Sequence, residues 1–252
     1  MKNENNCYMK FNSEINQYIA GEKFSAALYI PFSPHKFEDI YRADKIIQIV
    51  KNTRVIHIGC CDHLPLIEEK ISKKRWLHKL LVENTQKCIG IDINQKAVDY
   101  VTNKLNIKDV YCLDVLNDNI DLGKEMWDYV ILGELIEHVD NPVDFLQTIR
   151  QKFQGKVKKI IITVPNAFTI FHAKYIKKNI ECINSDHRYW FSPFTLSKIA
   201  AISGFNNCEL TYAQTVALPF FKAVIRYLKK KLNIKRYYTA NHFYSVILVA
   251  DF

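Results

Sequence analysis

The stretch Val55-Ile56-His57-Ile58-Gly59-Cys60-Cys61-Asp62-His63 (VIHIGCCDH, 55–63) decides how the rest of the chain is read. Four mostly apolar residues run into a glycine, and two cysteines, an acid and a histidine follow. One reading is a metal or redox site. The other is a buried strand ending in a tight turn that brings the backbone close to a ligand. Zinc sites usually draw ligands at C-x₂₋₄-C or H-x₃₋₅-H spacing. Adjacent Cys60 and Cys61 would diverge, and His57, inside a strand, would alternate into the core. No metal is expected on this reading. A thiol at a helix N-terminus can be activated, but the sequence places no base beside it. Glycine, lacking a Cβ, turns tightly and admits a ligand close to the backbone. The chain has only seven glycines, and one sits directly after this first apolar run.

The order of elements supports the second reading. Short apolar runs at 54–59, 87–92, 108–113, 127–132 and 158–164 read as buried strands. Helical patterns at 64–83, 94–105 and 141–152 separate most of them. Such alternation predicts a parallel sheet covered on both faces, and right-handed crossovers make it doubly wound. Upstream, 12–20 and 34–50 read as helices, the second opened by Ser33-Pro34 and carrying Ile40, Ala43, Ile46, Ile47 and Val50 at helical spacing. Downstream, Ser192-Pro193 opens a helix that Gly204 ends. Residues 205–213 and 243–251 then read as a closing antiparallel pair, interrupted by a basic, aromatic helical insertion at about 216–240. The division expected is an N-terminal helical extension (1–50) followed by one α/β domain (51–252).

Length and composition fit this picture. The 252 residues can bury one sizeable core. Apolar residues make up 48% and charged residues 24%, a globular balance. No apolar run approaches the roughly 18 residues of a membrane span, and the polar start is unlike a secretory leader. Seven scattered cysteines point to free thiols in a reducing cytoplasm. The net charge of +9 favours anionic partners.

In doubly wound sheets ligands bind at the carboxyl ends of the central strands. Two acids stand at consecutive strand tips. Asp92, in "IGIDIN", can accept from both hydroxyls of a ribose, and Asp114, in "YCLDV", can accept from an adenine amino group.

These segments, in this order, resemble the class I S-adenosylmethionine-dependent methyltransferases, in particular the family of ubiquinone-biosynthesis O-methyltransferases. "WDYVILGELIEHVDNPVDFL" (127–146), "IIITVPNAF" (160–168) and "SDHRYWFSPFTLSKIAAISGF" (185–205) carry the likeness further, over about 50–213. The resemblance implies a Rossmann-like α/β fold, a doubly wound seven-stranded mostly parallel sheet with an antiparallel last strand. It implies a cofactor, S-adenosylmethionine, held by Gly59, Cys60, Cys61, Asp92, Ile93, Asp114, Val115 and Gly133. The sequence departs from the family in its turn, where Cys60, Cys61 and Asp62 stand in place of further glycines. The interval from Gly59 to Asp92 is also long, 33 positions (92 − 59) against roughly 20 in a compact unit. An extended first helix or an extra loop is expected around 72–78.

For the acceptor end the sequence offers His138, His187 and Glu134 as catalytic candidates. Glu134 and His138 are spaced to share a helical face, so that Glu134 would orient a His138 base. Asn166, His172, Arg188 and Tyr189 are candidates for binding the acceptor, with His172 expected at the surface. The expected reaction is O-methylation of a small anionic or sugar-linked acceptor, such as a glycan or a phosphorylated precursor. An RNA methyltransferase is a rival supported by the charge alone, since neither a Pro-Pro-aromatic tetrapeptide nor a Pro-Cys pair follows the fourth strand. A non-catalytic binding module is the other. The insertion leaves room for a peripheral membrane contact or a homodimer.

Overall fold

In the computed structural model, which describes residues 8–31, 37–216 and 237–252, the run 55–58 lies in the strand β2 (Arg54–Ile58) near the middle of a seven-stranded sheet. Its side chains alternate between two apolar layers. Ile56 and Ile58 face one, and Val55 faces the other. Strands buried on both sides need apolar residues at every position, which explains the unbroken apolar runs.

The other strands are β3 (Lys87–Asp92), β4 (Val110–Cys112), β5 (Trp127–Gly133), β6 (Val157–Pro165), β7 (Asn206–Thr215) and β9 (Phe243–Asp251). Their order is β4-β3-β2-β5-β6-β9-β7. Strands β2 to β6 run parallel, and β9 is antiparallel to both its neighbours. All seven strands fall within a few residues of their expected places. Two short strands, β1 (Phe37–Glu38) and β8 (Tyr237–Tyr238), pair antiparallel away from the main sheet.

Helices α6 (Pro142–Phe153) and α8 (Pro193–Ile202) cover the face of Ile56, burying Phe145, Leu146, Ile149, Leu196 and Ala200. Helices α2 (Arg42–Val50) and α4 (Leu77–Asn84) cover the opposite face with Ala43, Ile46, Val50, Leu77 and Leu81. Thus α2, though part of the expected extension, helps to cover the sheet. Helix α1 (Ser13–Ala20) packs on α8. Helix α5 (Gln95–Asp99) continues into a π-helical turn, 100–104. The Ser192-Pro193 start acts as the sequence implied, and α6 has a similar start that the sequence reading did not single out. Asn141 caps α6 ahead of Pro142, and Ser192 with Thr195 forms a reciprocal cap ahead of Pro193.

Three local expectations are corrected. The helix expected from residue 34 begins only at Arg42, because 37–38 are drawn into the β1–β8 pair; the Ser33-Pro34 start lies outside the described residues. The helical stretch read over 64–83 is two helices, α3 (Leu64–Ser72) and α4, parted by the extra loop that was one of the two expectations around 72–78, where Lys74 turns left-handed at φ 53°. That break accounts for the long interval before Asp92. Helix α7 (Ile170–Ile176), capped by Thr169, was not anticipated. Residues 217–236, most of the expected helical insertion, lie outside the described residues.

Candidate functional site: a cleft at the strand tips

From β2 the chain builds β3 and β4 on one side, then crosses back to lay β5 on the other, so a crevice opens at the carboxyl ends of β2, β3 and β5. A cleft of about 960 Å³ occupies it. Its walls include Gly59, Cys60, Cys61, Asp92, Ile93, Asp114, Val115 and Gly133, so every residue expected to hold the cofactor lies along one hollow. The same cleft is also lined by Glu134, His138, His187 and Arg188.

The nucleoside side is built on backbone geometry. Gly59 takes φ 69°, a left-handed conformation that side chains resist, and its N–H donates to the Ile91 carbonyl at 2.8 Å. A Cβ here would lie 3.1 Å from a Leu135 methyl. The Asp92 carboxylate is buried, and burial raises its pKa above the ordinary value; backbone N–H donors oppose the shift. Those donors include Asn94, 3.0 Å from Oδ1, and Cys61, 2.8 Å from Oδ2, with the Ile93 N–H and the Cys61 thiol beside them. Asp114 accepts from the Leu116 N–H at 2.9 Å and the Asn117 amide at 2.7 Å, and these bonds lower its pKa. The left-handed backbone at Gly59 and the Asp92 carboxylate in the cleft wall fit a nucleoside such as that of S-adenosylmethionine.

The acceptor side differs from the sequence reading. Glu134 does not begin a helix. It sits at φ 55°, its N–H held by the Thr163 carbonyl at 2.9 Å. Its carboxylate pairs with the Arg42 guanidinium at 3.3 Å and accepts from Ser245 Oγ at 3.1 Å. Residues 134–140 form a turn, so Glu134 and His138 share no helical face, and Glu134 does not orient His138. Arg42, which also donates to Thr163 Oγ1 at 3.2 Å, lines the cleft. Sequence reasoning missed it because it lies 92 positions before Glu134 (134 − 42), with no motif around it.

His138 and His187 meet edge to face, ring centres 4.7 Å apart. The His138 Nδ1 lies 3.2 Å from the Asp186 carbonyl. Burial, then the His138 neighbour, lowers the pKa of His187. Immediately before His138, Glu137 is fully buried, and its pKa is pushed up to about 8 by burial first and by Glu134 second. Arg188 pairs with Asp140 at 3.1 Å and donates its N–H to the Glu137 carbonyl.

Three candidates fall away from the cleft walls. Asn166 is 1% exposed, and its amide donates to the Ala240 and Phe243 carbonyls while its oxygen accepts from Phe168 N–H. It ties strand ends together. His172 is buried rather than at the surface, its ring 4.5 Å from that of Trp190. The Tyr189 hydroxyl donates to the Asp140 carbonyl at 2.6 Å.

A family model described as a methyltransferase domain matches residues 39–210. Among solved structures, the chain is similar to a SAM-dependent methyltransferase of Archaeoglobus fulgidus, with 19% identity, 84% of this chain and 91% of that one covered, and a TM-score of 0.51. It is similar to a SAM-dependent methyltransferase of Thermotoga maritima, described as a possible histamine N-methyltransferase (15% identity, 83% and 86% covered, TM-score 0.54). It is also similar to the small RNA methyltransferase HEN1 (17% identity, 87% of this chain, 27% of that one, TM-score 0.54). No curated protein matches the chain.

Proposed function

Because the chain belongs to the methyltransferase-domain family and has the fold of SAM-dependent methyltransferases, we propose that it transfers a methyl group to an oxygen of a small anionic or sugar-linked acceptor, as the ubiquinone-biosynthesis O-methyltransferases do to theirs. The observation that carries this reading is the continuity of the cleft. The same hollow offers Gly59, Asp92 and Asp114 to a nucleoside and His138, His187 and Arg188 to an acceptor.

Bound there, S-adenosylmethionine would supply an electrophilic methyl carried on a sulfonium. The residues of this chain hold and orient. Asp92 accepts from ribose, and Gly59 lets the backbone approach. Positioning and exclusion of water contribute most to such a transfer. A hydroxyl acceptor must also lose its proton, and the imidazoles of His138 and His187 in the cleft wall are the bases proposed to take it. Arg188 and the net charge of +9 favour an anionic acceptor.

The test has two stages. Calorimetry with S-adenosylmethionine and S-adenosylhomocysteine reads cofactor binding. Incubation with the methyl-labelled cofactor and a panel of hydroxylated aromatic acids, nucleotide sugars and short RNAs reads the acceptor. Label entering a small oxygen acceptor supports the proposal. Label entering RNA alone moves the acceptor class, and absence of cofactor binding overturns the reading.

A further inference from the structure

The proposed reaction gives the thiols of Cys60 and Cys61 no part. Expected from the sequence to diverge, these two side chains converge, with their sulfurs 3.8 Å apart. Both line the cleft, Cys60 buried and Cys61 half-buried. The Cys61 thiol lies beside the Asp92 carboxylate. The two sulfurs and an Asp92 oxygen all lie within 4.8 Å of one another. Gly90 leaves room for Cys60 Sγ, since a Cβ there would come within 2.7 Å of the sulfur.

Zinc binds thiolate at about 2.3 Å and prefers a tetrahedral arrangement. That bond length and angle set two thiolates on one ion about 3.8 Å apart. The sulfurs of the cofactor turn already stand at this separation. The Asp92 carboxylate adds a third donor of a kind that zinc accepts. Thiolates select zinc and softer ions over magnesium and calcium. We propose that Cys60, Cys61 and Asp92 form a zinc site in the cofactor turn, and that zinc and S-adenosylmethionine exclude each other there. An Asp92 carboxylate that ligates the ion is no longer free to accept from a ribose.

The proposal deepens the methyl-transfer reading, and its second half rests on that reading. As the ion binds, each thiol gives its proton to solvent and its sulfur lone pair to zinc, which keeps its oxidation state. Burial disfavours a free Cys60 thiolate, and the bound ion supplies the positive charge that the thiolate lacks there. Cys61, half-buried in the cleft wall, gives the ion its entry from the cleft. The glycines that the resemblance implies for this turn would supply no ligand, so the site belongs to this chain's own residues. Free zinc then acts as an off-switch, drawing the Asp92 carboxylate from the ribose to the two sulfurs.

The full chain, reduced, stripped by chelator and dialysed, is titrated with Zn²⁺ by calorimetry and with Co²⁺ by absorbance, with Mg²⁺ in parallel. One equivalent of Zn²⁺ should bind, at least tenfold tighter than Mg²⁺, and Co²⁺ should raise a near-ultraviolet thiolate–cobalt band. Cys60→Ser and Cys61→Ser should each weaken Zn²⁺ binding at least tenfold and diminish the band. Replacing the exposed Cys182 by Ser should change neither. At free Zn²⁺ ten times its dissociation constant, the parent's S-adenosylhomocysteine affinity should fall about elevenfold, as exclusive binding requires. In Cys61→Ser the same Zn²⁺ should leave that variant's own affinity unmoved. The band and the competition are both read on the parent, and they decide the matter if Cys60→Ser fails to fold. No saturable Zn²⁺ binding, a cobalt complex without the thiolate band, binding indifferent to Cys61→Ser, or S-adenosylhomocysteine affinity unmoved by Zn²⁺ in the parent would overturn the proposal. Cofactor binding is read first in zinc-free protein. Its absence there removes the methyl-transfer reading and leaves the ion site, and cofactor binding without a zinc site removes this proposal alone.

Discussion

The backbone N–H of Cys61 donates to Asp92 Oδ2 at 2.8 Å. The turn after β2 is thus tied to the tip of β3 by the carboxylate proposed to hold a ribose. Cys61 stands where relatives with this layout carry glycine, and the contact uses only its backbone.

Asp92 therefore has two jobs, shaping the turn and accepting from the ligand. Hydrogen bonds to a charged group are worth about 1.5–3 kcal/mol. Asp92→Ala should weaken S-adenosylhomocysteine binding roughly tenfold to a hundredfold. The more exposed Asp114, already occupied by its own turn, should cost less when replaced by Ala. Calorimetry on the two variants checks both. Unchanged affinity in Asp92→Ala would remove the ribose assignment.

Gly90 is extended rather than left-handed, and space alone holds it. A Cβ there would lie 2.7 Å from Cys60 Sγ and 2.7 Å from His78 Cε1, both on buried side chains. Neither can swing into solvent. Gly90→Ala should destabilise the fold by about 1–3 kcal/mol. It should also displace Cys60 in the cleft wall. A urea midpoint equal to that of the parent would show that the contact relaxes freely.

His57 and His78 approach Nδ1 to Nδ1 at 3.3 Å and are both buried. Burial lowers the pKa of His78 from 6.5 to about 4. Burial first, then His78 and Arg42, lowers that of His57 well below 6.5. Both rings stay neutral in the fold while the unfolded chain takes up protons below its ordinary value. Stability is full above pH 6.5 and falls as the pH drops from there towards about 4, by up to roughly 3 kcal/mol from His78 alone. His78→Phe should flatten that acid limb. Parallel urea midpoints for parent and variant across this window would contradict it.

Asn166 should behave as a fastener. Its side chain makes three hydrogen bonds to backbone groups of the loop after β6 and of the segment leading into β9. Asn166→Ala leaves buried partners unsatisfied and should cost about 2–4 kcal/mol. Cofactor affinity should stay near the parent's in protein that remains folded. Thermal denaturation and calorimetry read the two effects apart. An acceptor KM that rises with stability intact would restore the binding role.

The strands were legible because burial on a sheet is a local pattern. Each of β2, β3, β5 and β6 shows its apolar run in its own few residues, and a glycine or an acid marks three of these tips. The start signals of α6 and α8 are local as well. The break between α3 and α4 was visible only as excess length, since Lys74 at φ 53° has no glycine to announce it. The short β1–β8 pair joins segments about two hundred residues apart, and it displaced a helix start that looked sound in sequence.

By itself, then, the sequence determined the order of the strands and placed Gly59, Asp92 and Asp114 at their tips, because periodicity of burial and backbone freedom are written residue by residue. The tertiary structure decided which partners the acceptor-end side chains take. Arg42 and Ser245 claim Glu134, the Asp186 carbonyl orients His138, and Glu137 is left buried between two imidazoles. Those pairings join elements far apart along the chain, and only the packed sheet brings them within a few ångströms.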